Sequence, residues 1–250
     1  MRAGGQAAAA DSGPGRAART ALAGGLRTLR GRPALAGSIA VVLVAVVVTT
    51  AVLPGRAGRR GLADGSRHGQ WRSVFDGYGR TSMHGGTVYL DPAPSRRPSV
   101  THASLMVSVA AFGDVDYRLR VKTIAQLRRP RPNAWEVGWV IWHYTDPQHF
   151  YYLALKPNGW ELGQENPAYP GAQRFLLTGS SPRFPPGRWH TVRIQQSSDA
   201  VRVTVDSTLL ATYRDTANPY RHGSVGVYAE DARVAFRDVK ATGSGPARVG

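Results

Sequence analysis

The sequence predicts an all-β domain, a sandwich or barrel of short antiparallel strands, behind one membrane-spanning segment. Three observations predict it. Apolar and polar residues alternate in short runs, as in Tyr117/Leu119/Val121, Val192/Ile194, Val201/Val203/Val205 and Val234/Phe236, which is the period of a half-buried strand. Turn signals separate these runs, and no useful helical period appears after Trp71. Ala34–Leu53 carries no charge, and at about 1.5 Å per residue it is long enough for a hydrocarbon core of about 30 Å.

Residues 1–33 are rich in Ala, Gly and Arg and nearly lack aromatic and branched apolar side chains, so they are expected to be disordered or weakly helical. Residues 34–53 form the transmembrane helix or signal anchor. Their length exceeds that of a usual cleaved signal region, although Pro54, Gly55 and Ala57 leave cleavage after Ala57 open. Close before the span lie Arg16, Arg19, Arg27, Arg30 and Arg32, and close after it Arg56, Arg59, Arg60 and Arg67, an excess that orients the N-terminus inward. A retained anchor and a cleaved signal both place the rest of the chain outside the cytoplasm, at the membrane or secreted. Residues 54–70 read as a Gly-rich flexible linker.

The ordered domain is expected over 71–242, with 243–250 a loose tail. Strands are predicted at 72–75, 86–90, 103–110, 116–124, 136–144, 150–156, 160–164, 174–177, 190–196, 201–205, 209–213, 224–228 and 232–241. About 170 residues suit one domain.

The meander from Glu136 to Glu165 organises the reading. Asn158-Gly159 is the strongest short-range hairpin signal. A two-residue loop there sets Lys156 opposite Glu161, Leu155 opposite Leu162, Ala154 opposite Gly163 and Tyr152 opposite Glu165. A type I turn at Asp146-Pro147 sets Tyr144 opposite Tyr151, His143 opposite Tyr152 and Trp142 opposite Leu153. Alternation then sorts two faces. Val140, Trp142, Tyr144, Tyr151, Leu153, Leu155 and Leu162 form a core face. Trp139, Ile141, His143, Tyr152, Lys156, Glu161 and Glu165 look the other way, over a floor of Ala154 and Gly163. A face mixing aromatics, charge and small residues can form a shallow groove. The alternative is a face covered by a loop, 126–134 or 164–173, with Lys156–Glu161 an ordinary cross-strand pair.

The chain has no cysteine, which excludes disulfides, thiolate metal sites and a cysteine nucleophile. Its formal net charge is +16. The basic residues after Trp71 are scattered and mostly alternate with core positions, as in Arg118/Arg120/Lys122, so they read as the solvated face of strands. No nucleic-acid motif is visible and no nucleic-acid partner is expected.

The segment GWVIWHYTDPQHFYYLALKPNG is similar to the central strands of concanavalin A-like lectin/glucanase domains. VFDGYG at Val74–Gly79, PPGRWHTVRIQQSSDAVRVTVDSTLLATYRD and GSVGVYAEDARVAFRDVKA resemble the opening, hairpin and closing strands of the 3-keto-disaccharide hydrolase-like branch. The resemblance covers about 71–242 and implies a jelly-roll β-sandwich. Ser207 departs from the Gly or Asn usual in the hairpin. Binding modules, hydrolases and sugar sensors share this fold, so it does not choose among activities.

The Glu-x-Asp-x-x-Glu strand motif of laminarin-type glucanases is absent. Its nearest counterpart, Glu161 and Glu165, is separated by about 13 Å along one strand, beyond the roughly 5–9.5 Å that glycoside hydrolysis uses. Asp206, Glu230 and Asp231 are further carboxylates the sequence does not place. The seven His show no zinc spacing, and His143 and His149 read as polar rim residues. In sandwiches of this kind an Asp near the first and last strands can hold Ca²⁺, which the resemblance assigns to Asp76 and Asp238 as a structural site; no other cofactor is implied. The expected function is a membrane-tethered, non-catalytic module binding a polysaccharide or cell-wall glycan. Trp139 and Tyr152 would stack on sugar; His143, Lys156, Glu161 and Glu165 would hydrogen-bond it. The alternatives are a glycoside hydrolase-like enzyme using Glu161 or Glu165, and a calcium-stabilised structural or partner-binding envelope domain.

Overall fold

The computed structural model describes residues 61–97 and 99–245. The expectations for 1–33, 34–53, the first part of the linker and the end of the tail fall outside them. Among the described residues no helix is long and apolar enough to cross a membrane.

The strands are β1 (Arg67–His68), β2 (Trp71–Phe75), β3 (Arg80–His84), β4 (Thr87–Asp91), β5 (Ala103–Phe112), β6 (Val115–Gln126), β7 (Gly138–Asp146), β8 (His149–Lys156), β9 (Gly159–Glu165), β10 (Gln173–Gly179), β11 (His190–Ser197), β12 (Ala200–Val205), β13 (Thr208–Arg214), β14 (Gly223–Glu230) and β15 (Ala232–Gly243). They form two antiparallel sheets. The first runs β1-β2-β5-β14-β7-β8-β9-β10, the second β13-β12-β11-β6-β15-β4-β3. Between them lies the main core, built from Trp142, Tyr151, Leu153 and Leu162 on one side and Tyr117, Leu119, Val192 and Phe236 on the other. These are the inward positions of alternating strands.

Two strands were not predicted. β1 belongs to the stretch read as linker, and the fold already holds that stretch near Gly61: the Leu62 N–H donates to the Thr81 carbonyl at 2.8 Å and the Ser73 N–H to that of Ser66 at 2.9 Å. β3 pairs with β4 across Gly85-Gly86, whose φ of 52° and 75° suit a tight hairpin turn that other residues adopt at a cost. Gly86 is therefore in the turn rather than at a strand start.

The meander corrects the predicted register in two places. Lys156 pairs with Gly159 and Leu155 with Trp160, so Pro157 and Asn158, not Asn158 and Gly159, form the tip. Each partner moves by two residues, which keeps every side chain on its predicted face. At the other turn Asp146 pairs with His149 as the Asp-Pro signal requires, but Trp142 pairs with Tyr151. The extra residues sit in a bulge at His143, which has φ of 50°. Trp139, Val140, Ile141 and Trp142 keep their predicted faces. Beyond the bulge the sorting reverses. Tyr144, expected in the main core, joins the cluster on the outer face of the first sheet, and His143, expected on that face, is buried elsewhere.

Candidate functional site

Strand alternation assembles the site on the side of the first sheet turned away from the second. β9 contributes Glu161, Gly163 and Glu165; β8 contributes Tyr152, Ala154 and Lys156; β7 contributes Trp139 and Ile141; β14 contributes Tyr228 and Glu230. Trp139 lies beside Ala154 and Tyr228, and Tyr152 beside Gly163. Gly163 is needed there. The Tyr152 ring lies over it so closely that a Cβ would fall 2.3 Å from the ring.

The aromatic residues form a sealed second layer. Trp139 and Tyr152 stack at 4.5 Å and 30°, and Tyr228 tilts against Trp139 at 5.2 Å. Exposure of Trp139 is 1% and of Tyr152 0%. Trp135, just after the 126–134 connection, packs on this layer, and its carbonyl accepts the Trp139 indole N–H at 2.9 Å. The two rings expected to offer open stacking platforms are thus covered, because the buried aromatics of this face, Trp139, Tyr144, Phe150, Tyr152 and Tyr228, pack on one another and so remove their rings from water.

The polar side chains lie around this layer. Glu161 accepts hydrogen bonds from the Tyr152 hydroxyl at 2.9 Å and from Lys156 Nζ at 2.6 Å. Glu165 accepts one from the Gln173 amide at 2.9 Å. Glu230 accepts one from the Tyr228 hydroxyl at 2.7 Å, while its other oxygen is buried with no partner. Burial, with the Glu161 charge adding, raises the Glu165 carboxyl to about 7 despite the Gln173 hydrogen bond. Burial raises Glu230 to about 8, and the charges of Glu165, Asp231 and Glu136 act in the same direction. The cause is desolvation of the charged form.

Lys156, Glu161 and Glu165 therefore stand together on the predicted face, and Glu230 joins them from β14. His143 does not. Its ring lies between the carbonyls of Tyr220 and Gly113, 2.7 Å from each, and burial lowers its pKa. Asp76 and Asp238, the residues expected to hold calcium, have these neighbours. Asp76 acts on Asp64, Asp238 lies 3.6 Å from Arg237, and among the described residues no group of three or more His, Asp or Glu is placed to hold a metal ion.

Phe175 was missed. On β10 it pairs with Gly163, so it shares the face of Glu161 and Glu165, and it is 59% exposed. The sequence places 174–177 in a strand without sorting its faces; the bulge between Phe175 and Leu177 turns Phe175 out while Leu176 and Leu177 pack on the core.

The sequence pattern of the 3-keto-alpha-glucoside-1,2-lyase-like domain matches residues 58–242. The chain belongs to this family. Among solved structures, the lyase-like domain is similar to carbohydrate binding module CBM66 from Bacillus subtilis, at 14% identity over 69% of this chain and 94% of that one, with a TM-score of 0.54. It is also similar to a Bacillus subtilis protein of unknown function with a galectin-like fold (11% identity, 68% and 88% covered, TM-score 0.49) and to the Bacillus licheniformis beta-glucanase (13%, 72% and 94%, TM-score 0.47). The first likeness shows the fold. No curated protein matches.

Proposed function

We propose that the domain binds carbohydrate at the β9–β10 side of the first sheet. One observation carries this reading. Phe175 offers an exposed aromatic ring beside Glu161, which is held by Lys156, and Glu165, which is held by Gln173. An apolar ring next to fixed acceptors and an ammonium suits a sugar, which presents C–H faces and hydroxyl edges together. The family's description and the carbohydrate-binding module among similar structures support it. Phe175→Ala combined with Glu161→Gln is expected to weaken binding to a panel of soluble polysaccharides at least tenfold, read by calorimetry. Unchanged binding to every polysaccharide the parent binds would overturn the site.

A second reading is favoured by the raised carboxyls of Glu165 and Glu230. The family's description names a lyase acting on a 3-keto glucoside. A 1,2-elimination on such a sugar removes a proton beside the ketone and protonates the leaving oxygen, and groups titrating near neutrality serve both tasks. Incubation with a 3-keto-α-glucoside decides it: product formation lost in Glu165→Gln supports catalysis, and no product from the parent protein excludes it.

The charge-free span 34–53 supports tethering of this domain outside the cytoplasm. Carbonate-resistant membrane association, with digestion of the domain by externally added protease, is the expected result; a freely soluble cytoplasmic chain would overturn it.

A further inference from the structure

The geometry points to a second binding surface: the outer face of the second sheet docks an anionic polysaccharide. The sequence reading treated its basic residues as scattered, but strand pairing gathers them. On β6, Arg118, Arg120 and Lys122 alternate with buried Tyr117, Leu119 and Val121, so three cations recur at about 6.6 Å intervals along one strand. Arg118 is paired with Arg193 on β11 and with Lys240 on β15, and Arg120 with Arg237 on β15. Six cations therefore occupy three adjacent strands spaced about 4.8 Å apart. The β15 bulge between Arg237 and Lys240 keeps Lys240 outward while Val239 and Ala241 pack on the core.

Like charges directly opposite one another destabilise a sheet, so a face serving stability alone would alternate its signs. Two carboxylates adjoin the six cations. Asp116 is shared by Arg193 and Arg118, whose hydrogen bonds and charges, Arg193 first, lower it to about 2; Asp238 lies 3.6 Å from Arg237. Four positive charges are left over. Trp189 stacks against two of the heads, its ring 4.4 Å from the Arg237 guanidinium and 5.6 Å from that of Arg120. This stacking holds them before any ligand arrives.

A regular band of cations with an aromatic ring among them matches a chain that repeats carboxylate, sulfate or phosphate groups on sugar rings. No large apolar side chain among those most exposed (Tyr78, Val109, Phe175, Leu209) belongs to the band, so it lacks the wedge that an interfacial membrane surface uses. This inference is independent of the carbohydrate site on the first sheet, because the two surfaces share no residue.

Heparin serves as the probe, with duplex DNA and anionic phospholipid vesicles as competitors of other classes. The full-length chain is expected to bind heparin in a salt-sensitive manner, and the triple variant Arg118→Gln, Lys122→Gln, Lys240→Gln at least tenfold more weakly, with its thermal midpoint unchanged. Arg214→Gln, at a surface ion pair with Asp199, is expected to change nothing. A second measurement excludes binding by other basic segments. The chain has three lysines, Lys122, Lys156 and Lys240. Bound heparin is expected to protect Lys122 and Lys240 from acetylation and to leave Lys156 as it was. Equal heparin affinity in the triple variant without that protection, or tighter binding to DNA or vesicles than to heparin, overturns the inference.

Discussion

On the outer face of the first sheet, Glu165 is met by an amide and Glu230 by a phenol, and burial pushes both carboxyls toward neutrality. On the outer face of the second sheet, Arg118 stands between Arg193 and Lys240, and the carboxylate among them, Asp116, is held down at about 2. One face leaves Glu165 and Glu230 without a cation, although Glu161 has Lys156, and the other leaves most of its cations without an acid. The net charge of +16 describes neither. Register, not composition, decides where a field acts and on what.

The contrast can be broken most forcefully in the connections beside the sheets, where buried acids are paired. Arg128 bridges the buried Glu136 and Asp231, the latter at 2.7 Å, and also donates to the carbonyls of Arg97 and Val100, each at 3.0 Å. Arg128→Ala strands two buried carboxylates and is expected to cost about 3–5 kcal/mol in chemical denaturation. A loss below about 1 kcal/mol would show that water relieves both.

The unpaired acids give the next effect, a pH dependence. Glu165 and Glu230 hold protons in the folded chain above the ordinary value of 4.5. Their contribution to stability is complete below that value and is lost as pH rises through about 7 and about 8. The thermal midpoint is expected to fall over that range, and Glu165→Gln with Glu230→Gln to flatten the fall. A midpoint rising with pH over the same range would contradict the burial of these groups.

Gly163→Ala tests the floor beneath Tyr152. The ring has no room to withdraw from Trp139, so about 1–3 kcal/mol of destabilisation is expected, together with a change in tyrosine and tryptophan fluorescence. The smallest effect belongs to the second sheet. Arg118→Gln removes like-charge repulsion and is expected to lie within about 0.5 kcal/mol of the parent, on the stabilising side.

Much of this fold was legible because strand alternation survives errors of two. The β8–β9 tip closed one residue earlier than Asn-Gly suggested, yet Leu155, Leu162, Glu161 and Glu165 kept their faces. His143 and Tyr144 were lost for the opposite reason. A bulge with a positive φ at a histidine follows from tertiary packing, here from carbonyls at Gly113 and Tyr220 that grip the ring, and no local propensity announces it. The same limit hid Phe175. The burial of Trp139 and Tyr152 escaped notice because alternation tells which way a ring points and not what lies on top of it.

The uneven placement of primary amines has a practical consequence. Lys122 and Lys240 stand on one broad side of the molecule, and Lys156 is engaged by Glu161 at 2.6 Å on the other. Attachment to a sensor chip through lysine side chains would anchor the domain by its arginine-rich back and leave Phe175 facing the flowing solution. A weak signal for sugar on such a chip would then reflect the protein rather than its orientation.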